Sequence, residues 1–287
     1  MKILYHANCY DGFGAAWSAW LKLEGLDAPR QHDYIPVLYG DPPPDGLDGQ
    51  DIVIVDFSYP RDILLELYDR CASLLVLDHH KTAQADLDGL DFCVFDMEKS
   101  GAMLAWEYWW PGEEPPPMIQ YVQDRDLWRF HLPWSRKIAA YMRSYPMDFE
   151  RWCFIDGRLR NAFDNIAVEG DAILRFQTRC VDQMCEQAVW IELGGYRVPT
   201  ANATLFFSEV GERLCEMYPE APFAAYYLDR ADGKRQWGLR SRDGFDVSEV
   251  AKKYGGGGHA AAAGFTSLGH IYLKGAQTFA AFSSKEE

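Results

Sequence analysis

Two runs, IVIV at residues 52–55 and LLVL at 74–77, are apolar at every position. A strand with one face in water alternates, because successive side chains point to opposite sides. A run apolar throughout suits a strand covered on both faces, the situation of a parallel sheet flanked by helices. Similar short runs recur upstream and downstream: KILYH (2–6) precedes FGAAWSAWLKLEG, YIPVLYG (34–40) follows, DIVIVDFS (51–58) leads into RDILLELYDRCA, and SLLVLDHH (73–80) and DFCVFD (91–96) come next. The pattern predicts an α/β fold whose N-terminal domain is a parallel sheet with helices on both faces.

SGAMLAWEYWW (100–110) reads as the next helix, ended by the proline-rich PGEEPPP, which cannot continue it. Further helical pattern runs to about residue 190, including one long stretch from GRLRN to VWIEL that reads as a connecting helix. A second alternation follows: YRVPTANAT, a helix around SEVGERLCEMY, the strands FAAYYLD and KRQWGLRSR, the helix VSEVAKKYG, and GGGGHAAAAGF at 255–265. The expectation is two domains, 1–190 ending in the connecting helix and a smaller α/β domain over 191–287. A chain of 287 residues can bury two such cores.

The formal net charge of −15 argues against a broad basic face that coats long nucleic acid. An anionic substrate must instead be held locally, by metal or by a few placed arginines. The seven cysteines are scattered, without a CxxC pair, as expected of reduced thiols. There is no run of about 18 apolar residues, and MKILYHANCYDG turns polar early, so neither a membrane span nor a signal peptide is expected and the protein reads as cytoplasmic.

Ligands of open α/β sheets bind beyond the carboxyl ends of the strands, and the polar residues collect there. The first strand ends in His6 and runs into Asn8, Cys9 and Asp11; the third ends in Asp56; the fourth ends in Asp78, His79 and His80. Singly, each has a structural reading: Asp56 as a helix cap, DHH as a hydrogen-bonded loop, HANCYDG as a βα turn. Jointly, on separate strands, carboxylates and imidazoles make a ligand mix suited to divalent Mn, Fe or Zn.

In order along the chain, HANCYDGFGAAW, VDFS, LDHH, QDRDLW and GGGGHAAAAGF resemble the motifs of the DHH phosphoesterase superfamily, in the branch with a C-terminal DHHA1 domain. That branch includes nanoRNA phosphodiesterases, RecJ-like exonucleases and exopolyphosphatase-like proteins. The resemblance implies two divalent metals, usually manganese, bridged by Asp56. One would take Asp11, Asp56, His79 and Asp124; the other would take His6, Asp56 and the residue at Cys9. Relatives of the nanoRNase type place an aspartate at that last position, so Cys9 is a departure: it is either a thiolate ligand favouring softer Zn or Fe, or a spectator. In QDRDLW both Asp124 and Asp126 are candidates, and the spacing to the following Leu-Trp favours Asp124. His80 is implied as a contact to the scissile phosphate, with Asp78 orienting the histidine pair.

The glycine stretch has a reading in the same terms. Successive backbone amides of Gly256, Gly257 and Gly258 can form an anion-binding concavity, and a helix starting at the alanines would add its N-terminal dipole. His259 would then bond a phosphate, and Arg240, in GLRSRDG, resembles a DHHA1 substrate contact. The leading expectation is hydrolysis of phosphodiester bonds in short oligonucleotides or dinucleotides. The alternatives are an exopolyphosphatase- or pyrophosphatase-like phosphoanhydride hydrolase, or a catalytically impaired nucleotide-binding module. No long nucleic acid, no membrane and no cofactor beyond metal are expected; a homodimer stays open.

Overall fold

A computed structural model of the chain describes residues 1–26, 31–242 and 244–268. The chain divides into two compact units, Met1–Thr178 and Arg179–Glu287. The sequence reading set its own boundary further along, near residue 190.

The first unit is built on a parallel sheet of β1 (Lys2–His6), β2 (Asp33–Val37), β3 (Asp51–Val55), β4 (Ser73–Asp78) and β5 (Cys93–Phe95), in the order β2-β1-β3-β4-β5. The consecutive apolar runs fill two cores at once. Leu4, Ile52, Ile54 and Val76 pack with Leu64 and Leu67 of α2 (Arg61–Arg70) on one face. Ile3, Val53, Val55 and Leu77 pack on the other with Ala15 and Ala19 of α1 (Tyr10–Leu23) and Leu104 of α4 (Gly101–Trp109). A short α3 (Lys81–Asp86) follows β4. Outside α1 and α4 a helical layer adds α5 (Pro117–Asp126), α6 (Ser135–Arg143) and α7 (Phe149–Asn161), joined by an aromatic-rich core around Trp17, Tyr141 and Trp152.

The second unit carries a six-stranded sheet of order β10-β11-β9-β8-β7-β6: β6 (Val189–Leu193), β7 (Tyr196–Asn202), β8 (Phe223–Asp229), β9 (Lys234–Ser241), β10 (Gly257–Gly258) and β11 (Ala262–Leu268). Within this sheet only the β7–β8 pair is parallel among the described strands. Helix α9 (Phe207–Met217) shares a core with Ala201 and Ala224, while α10 (Ser248–Lys252) packs with Phe223, Trp237 and Phe265.

Two expectations are corrected here. The long connecting helix is broken at Ala162 into α7 and α8 (Phe163–Cys185), and its expected tail, VWIEL, is strand β6. Gly194 and Gly195, both with positive φ, form the two-residue turn into β7, a geometry that glycine adopts without steric cost. The alanines after His259 do not start a helix either: Ala262 and Ala263 open β11, paired to Arg240 and Leu239. Alanine's helical preference amounts to less than about 1 kcal/mol per residue, less than the ladder and core contacts of a full strand supply.

Candidate metal centre

In the first sheet β1 has β2 on one side and β3 on the other, so the chain reverses its direction of progress across the sheet there. Ligand sites form at such switch points. His6 is the last residue of β1, and Asp56 follows the last residue of β3. Asp56 has φ +62°, in the left-handed region that non-glycine residues enter rarely. Its amide nonetheless donates to the Leu77 carbonyl at 2.9 Å, continuing the ladder while the side chain turns into the site. Gly101 makes the room, since a Cβ there would lie 2.5 Å from the Asp56 Cβ.

Asp11, in the first turn of α1, is buried at the start of α4. Its Oδ2 accepts from the Gly101 amide at 2.6 Å and its Oδ1 from Ala102 at 2.9 Å, taking up donors that a helix N-terminus leaves unpaired. Gly12 has no room for a side chain, because a Cβ would collide with the carbonyl of His6. The Asp-Gly pair thus lets α1 begin directly against the end of β1.

His79 joins the carboxylates. Its Nε2 lies 3.1 Å from Asp56 Oδ1, 3.4 Å from Asp11 Oδ2 and 3.7 Å from Asp126 Oδ2. Burial opposes charging this ring, but the bond to Asp56 and the charges of Asp126 and Asp11 push its pKa up to about 10. One imidazole nitrogen carries at most one proton and cannot satisfy three carboxylates. Burial and the charges of Asp56 and Asp126 push the Asp11 pKa well up, so carboxylates crowded this closely call for a further cation. Asp56 Oδ2 is buried, and its nearest donor among the described residues is His6 Nδ1, at a long 3.5 Å. These residues fit a divalent metal.

Two groups of donor atoms emerge, Asp11–Asp56–His79 and His6–Cys9–Asp56, each with its atoms within 4.8 Å of one another. Asp56 belongs to both. The structure therefore brings Cys9 to the position where a ligand could act. Burial, then the charges of Asp56, Asp126 and Asp11, push its thiol well above the usual value. A thiolate there requires a cation beside it.

Asp78 and His80 form a separate pair. The Asp78 Oδ1 lies 2.6 Å from His80 Nδ1, and its Oδ2 accepts from the Ser58 hydroxyl at 2.6 Å. Burial alone would raise the Asp78 pKa; His80 and Ser58 hold it below its ordinary value. Burial likewise opposes charge on His80, and Asp78 outweighs it and raises the imidazole pKa.

The expected ligand Asp124 has a different place. Its side chain accepts from the amides of His131 at 2.8 Å and Leu132 at 3.2 Å, and its carbonyl accepts from Arg129 and Phe130. Four consecutive amides thus converge on Asp124, bending the loop after α5, in which Trp128 and Phe130 adopt positive φ. Asp126 instead faces His79. At about 100° of rotation per residue, positions two apart in a helix point in nearly opposite directions, so one of the pair serves the loop and the other the site. The spacing to the following Leu-Trp favoured Asp124, the carboxylate that the structure turns to the loop.

In the second unit Gly257 and Gly258 form β10, and the His259 amide donates to the Ala262 carbonyl at 2.8 Å in the turn into β11. Gly256 packs where a Cβ would collide with the Gly264 carbonyl. Arg240 lies on β9 opposite Ala262, while Arg242 beyond the strand pairs with Glu216 at 3.1 Å. The expected phosphate-binding residues Arg240, Gly256, Gly257, Gly258 and His259 are thus neighbours at one end of this sheet, with no helix among them.

The DHHA1 domain family matches residues 207–276, from α9 through β11 and beyond. The chain carries a DHHA1 domain. Its LDHH stretch supplies Asp78, His79 and His80 at the end of β4. Uncharacterized protein R106 of Acanthamoeba polyphaga mimivirus is 29% identical to this chain over 296 residues, covering 96% of the chain and 69% of R106. Oligoribonuclease NrnB of Bacillus subtilis (strain 168) is 37% identical over 76 residues, 26% of the chain and 18% of NrnB. Among solved structures, RecJ from Thermus thermophilus in complex with Mn2+ superposes with a TM-score of 0.48 at 20% identity, covering 92% of this chain and 49% of RecJ.

Proposed function

We propose that this protein is a divalent-metal-dependent phosphoesterase that hydrolyses the phosphodiester bonds of short oligonucleotides or dinucleotides. The observation that carries the reading is Asp56, shared by two ligand groups and reached by histidines from two other strand ends. Asp11, Asp56, His79 and Asp126 would hold one cation, with manganese the expected ion, and His6, Cys9 and Asp56 a second. Such a pair, when bound, supplies charge to polarise a phosphate and acidifies a water for in-line displacement.

The remaining work falls to the chain. Asp78 fixes one ring nitrogen of His80 and favours its charged form. His80 is then able to bind a phosphate oxygen and give a proton to the departing one. In the second unit Arg240, His259 and the glycine amides would form a phosphate-binding site of that unit. An acidic chain disfavours long polyanions, and the stretch similar to oligoribonuclease NrnB points toward nucleotide esters.

The test is hydrolysis, with manganese, of a panel of linear dinucleotides, longer oligonucleotides, adenosine 3′,5′-bisphosphate and polyphosphate, alongside elemental analysis and Asp56→Ala. Cleavage confined to the short oligonucleotides and absent in Asp56→Ala is the expected result. Cleavage of polyphosphate alone would replace this reading with a phosphoanhydride hydrolase. No cleavage by a metal-loaded protein would leave a binding module.

A further inference from the structure

Helix α8 lies on the first unit through one face and shows another to solvent. Ile166, Ala167 and Gly170 are buried, the last so close to the Lys137 carbonyl of α6 that a Cβ could not fit. Ion pairs from Lys137 to Asp171 at 2.7 Å and from Arg158 to Glu169 at 2.8 Å hold the helix in that place. Turned to solvent are Val168, Ala172 and Phe176, spaced four apart and therefore one row along the helix. Val168 is 72% exposed and Phe176 68%. The outer face of a helix on a globular unit is ordinarily polar, so an apolar row at its centre calls for a partner.

The row is complementary to itself. Ridges of side chains four apart pack into the grooves of a second such helix. In a crossing centred on Ala172, antiparallel helices set Val168 of each copy beside Phe176 of the other, and the small Ala172 side chain at the centre lets the axes approach. The exposed charges choose the direction. Asp164 and Glu169 precede Ala172, whereas Arg175 and Arg179 follow it, and all four are exposed. A parallel pair would set acid on acid and base on base. An antiparallel pair sets the acidic half of each helix against the basic half of the other. Arg175 keeps 70% of its side chain exposed while paired with Asp171, so it is within reach of a second copy.

We infer that this face of α8 is a self-association surface, on which a second copy of the chain docks its own α8 antiparallel about Ala172. A surface of one sign, such as an anionic membrane, would meet one half of the helix favourably and the other unfavourably. A partner with the reversed charge order matches both halves, and α8 itself is such a partner. One helix crossing buries less than the roughly 1,200 Å² at which standard interfaces begin, so the dimer is weak, with Kd on the order of 10 μM. The inference is independent of the phosphoesterase reading, and its test needs no turnover.

Sedimentation velocity of the full chain, over a concentration series that brackets this Kd, should show a reversible monomer–dimer equilibrium. Ala172→Glu sets like charges together at the crossing, and Phe176→Ser removes the apolar contact. Each should raise Kd by at least about tenfold, with the far-ultraviolet circular dichroism unchanged. Both positions are exposed, and either variant answers the question where the other does not fold. Charge reversal tests the direction. Asp164→Lys/Glu169→Lys and Arg175→Glu/Arg179→Glu should each be monomeric alone, because each sets like charges across the crossing, and should form a heterodimer when mixed. Three results would overturn the surface: a wild-type chain monomeric throughout the series, a dimer indifferent to both Ala172→Glu and Phe176→Ser, or charge variants that do not recover each other on mixing.

Discussion

Glycine does opposite jobs in the two regions that carry the expected site residues. At the parallel-strand rim of the first unit, Gly12 and Gly101 vacate space for other residues: one for the end of β1 behind His6, the other for the side chain of Asp56. In the second unit, Gly256 vacates space for backbone, letting the chain lie against the Gly264 carbonyl of a neighbouring strand. The rim uses its glycines to bring charged groups together, and the hairpin uses them for the sheet itself. A glycine-rich motif therefore does not say whether it serves chemistry or architecture until its neighbours are known.

The largest effect should come from the residue common to both donor groups. Asp56→Ala is expected to abolish stoichiometric manganese binding in elemental analysis and to lower dinucleotide hydrolysis by about a thousandfold or more, the scale of losing metal-assisted displacement. Retention of both metals would break the shared-ligand arrangement. Gly101→Ala should follow closely, because the new methyl meets Asp56 at its Cβ and Cα; the readout is weakened manganese binding in a calorimeter. Gly256→Ala should show the converse, a second unit destabilised by about 1–3 kcal/mol in denaturant titration, with manganese binding intact. If the two glycine variants behaved alike, the contrast between rim and hairpin would collapse.

Asp124 and Asp126 sharpen the same comparison within one helix turn. Asp126→Asn should weaken manganese binding with little change in stability. Asp124→Asn leaves an amide nitrogen where an acceptor stood, and should cost about 1–3 kcal/mol of stability, measured by chemical unfolding, with a smaller loss of metal affinity. The smallest effect lies at the opposite end of the first sheet, where Lys2 and Asp33 open β1 and β2. Asp33, hydrogen-bonded to Lys2 at 2.9 Å, has its pKa lowered in the folded state. Its stabilisation is present above the unfolded carboxyl value and disappears as pH falls through the folded one. The pair is exposed, so Asp33→Asn should change stability at about pH 7 by less than about 1 kcal/mol, and by less still near pH 3.

The strand ends were legible because physics leaves few options there: a run apolar on both faces must stop at a polar residue, and in a parallel sheet those stops share one rim. That logic located His6, Asp56, Asp78 and His79 before any coordinates. It did not separate Asp124 from Asp126, since the difference lies in four amides of the following loop, whose bend depends on unusual backbone angles at Trp128 and Phe130. Strand β6 was hidden inside a helical reading, although Gly194–Gly195 directly after it carried a hairpin signal. The alanines misled because local preference yields to cross-strand pairing.

The bond from Asp11 to the first amides of α4 has an optical consequence. That short helix carries Trp106 and Trp109 and leads into Trp110, and the Trp106 and Trp110 indoles are stacked with centroids 5.1 Å apart. Whatever draws the Asp11 carboxylate toward or away from the helix start displaces a rod with stacked fluorophores near its far end. The intrinsic emission of the protein is therefore expected to change as manganese is titrated in, a readout of occupancy without a label, a substrate or a product.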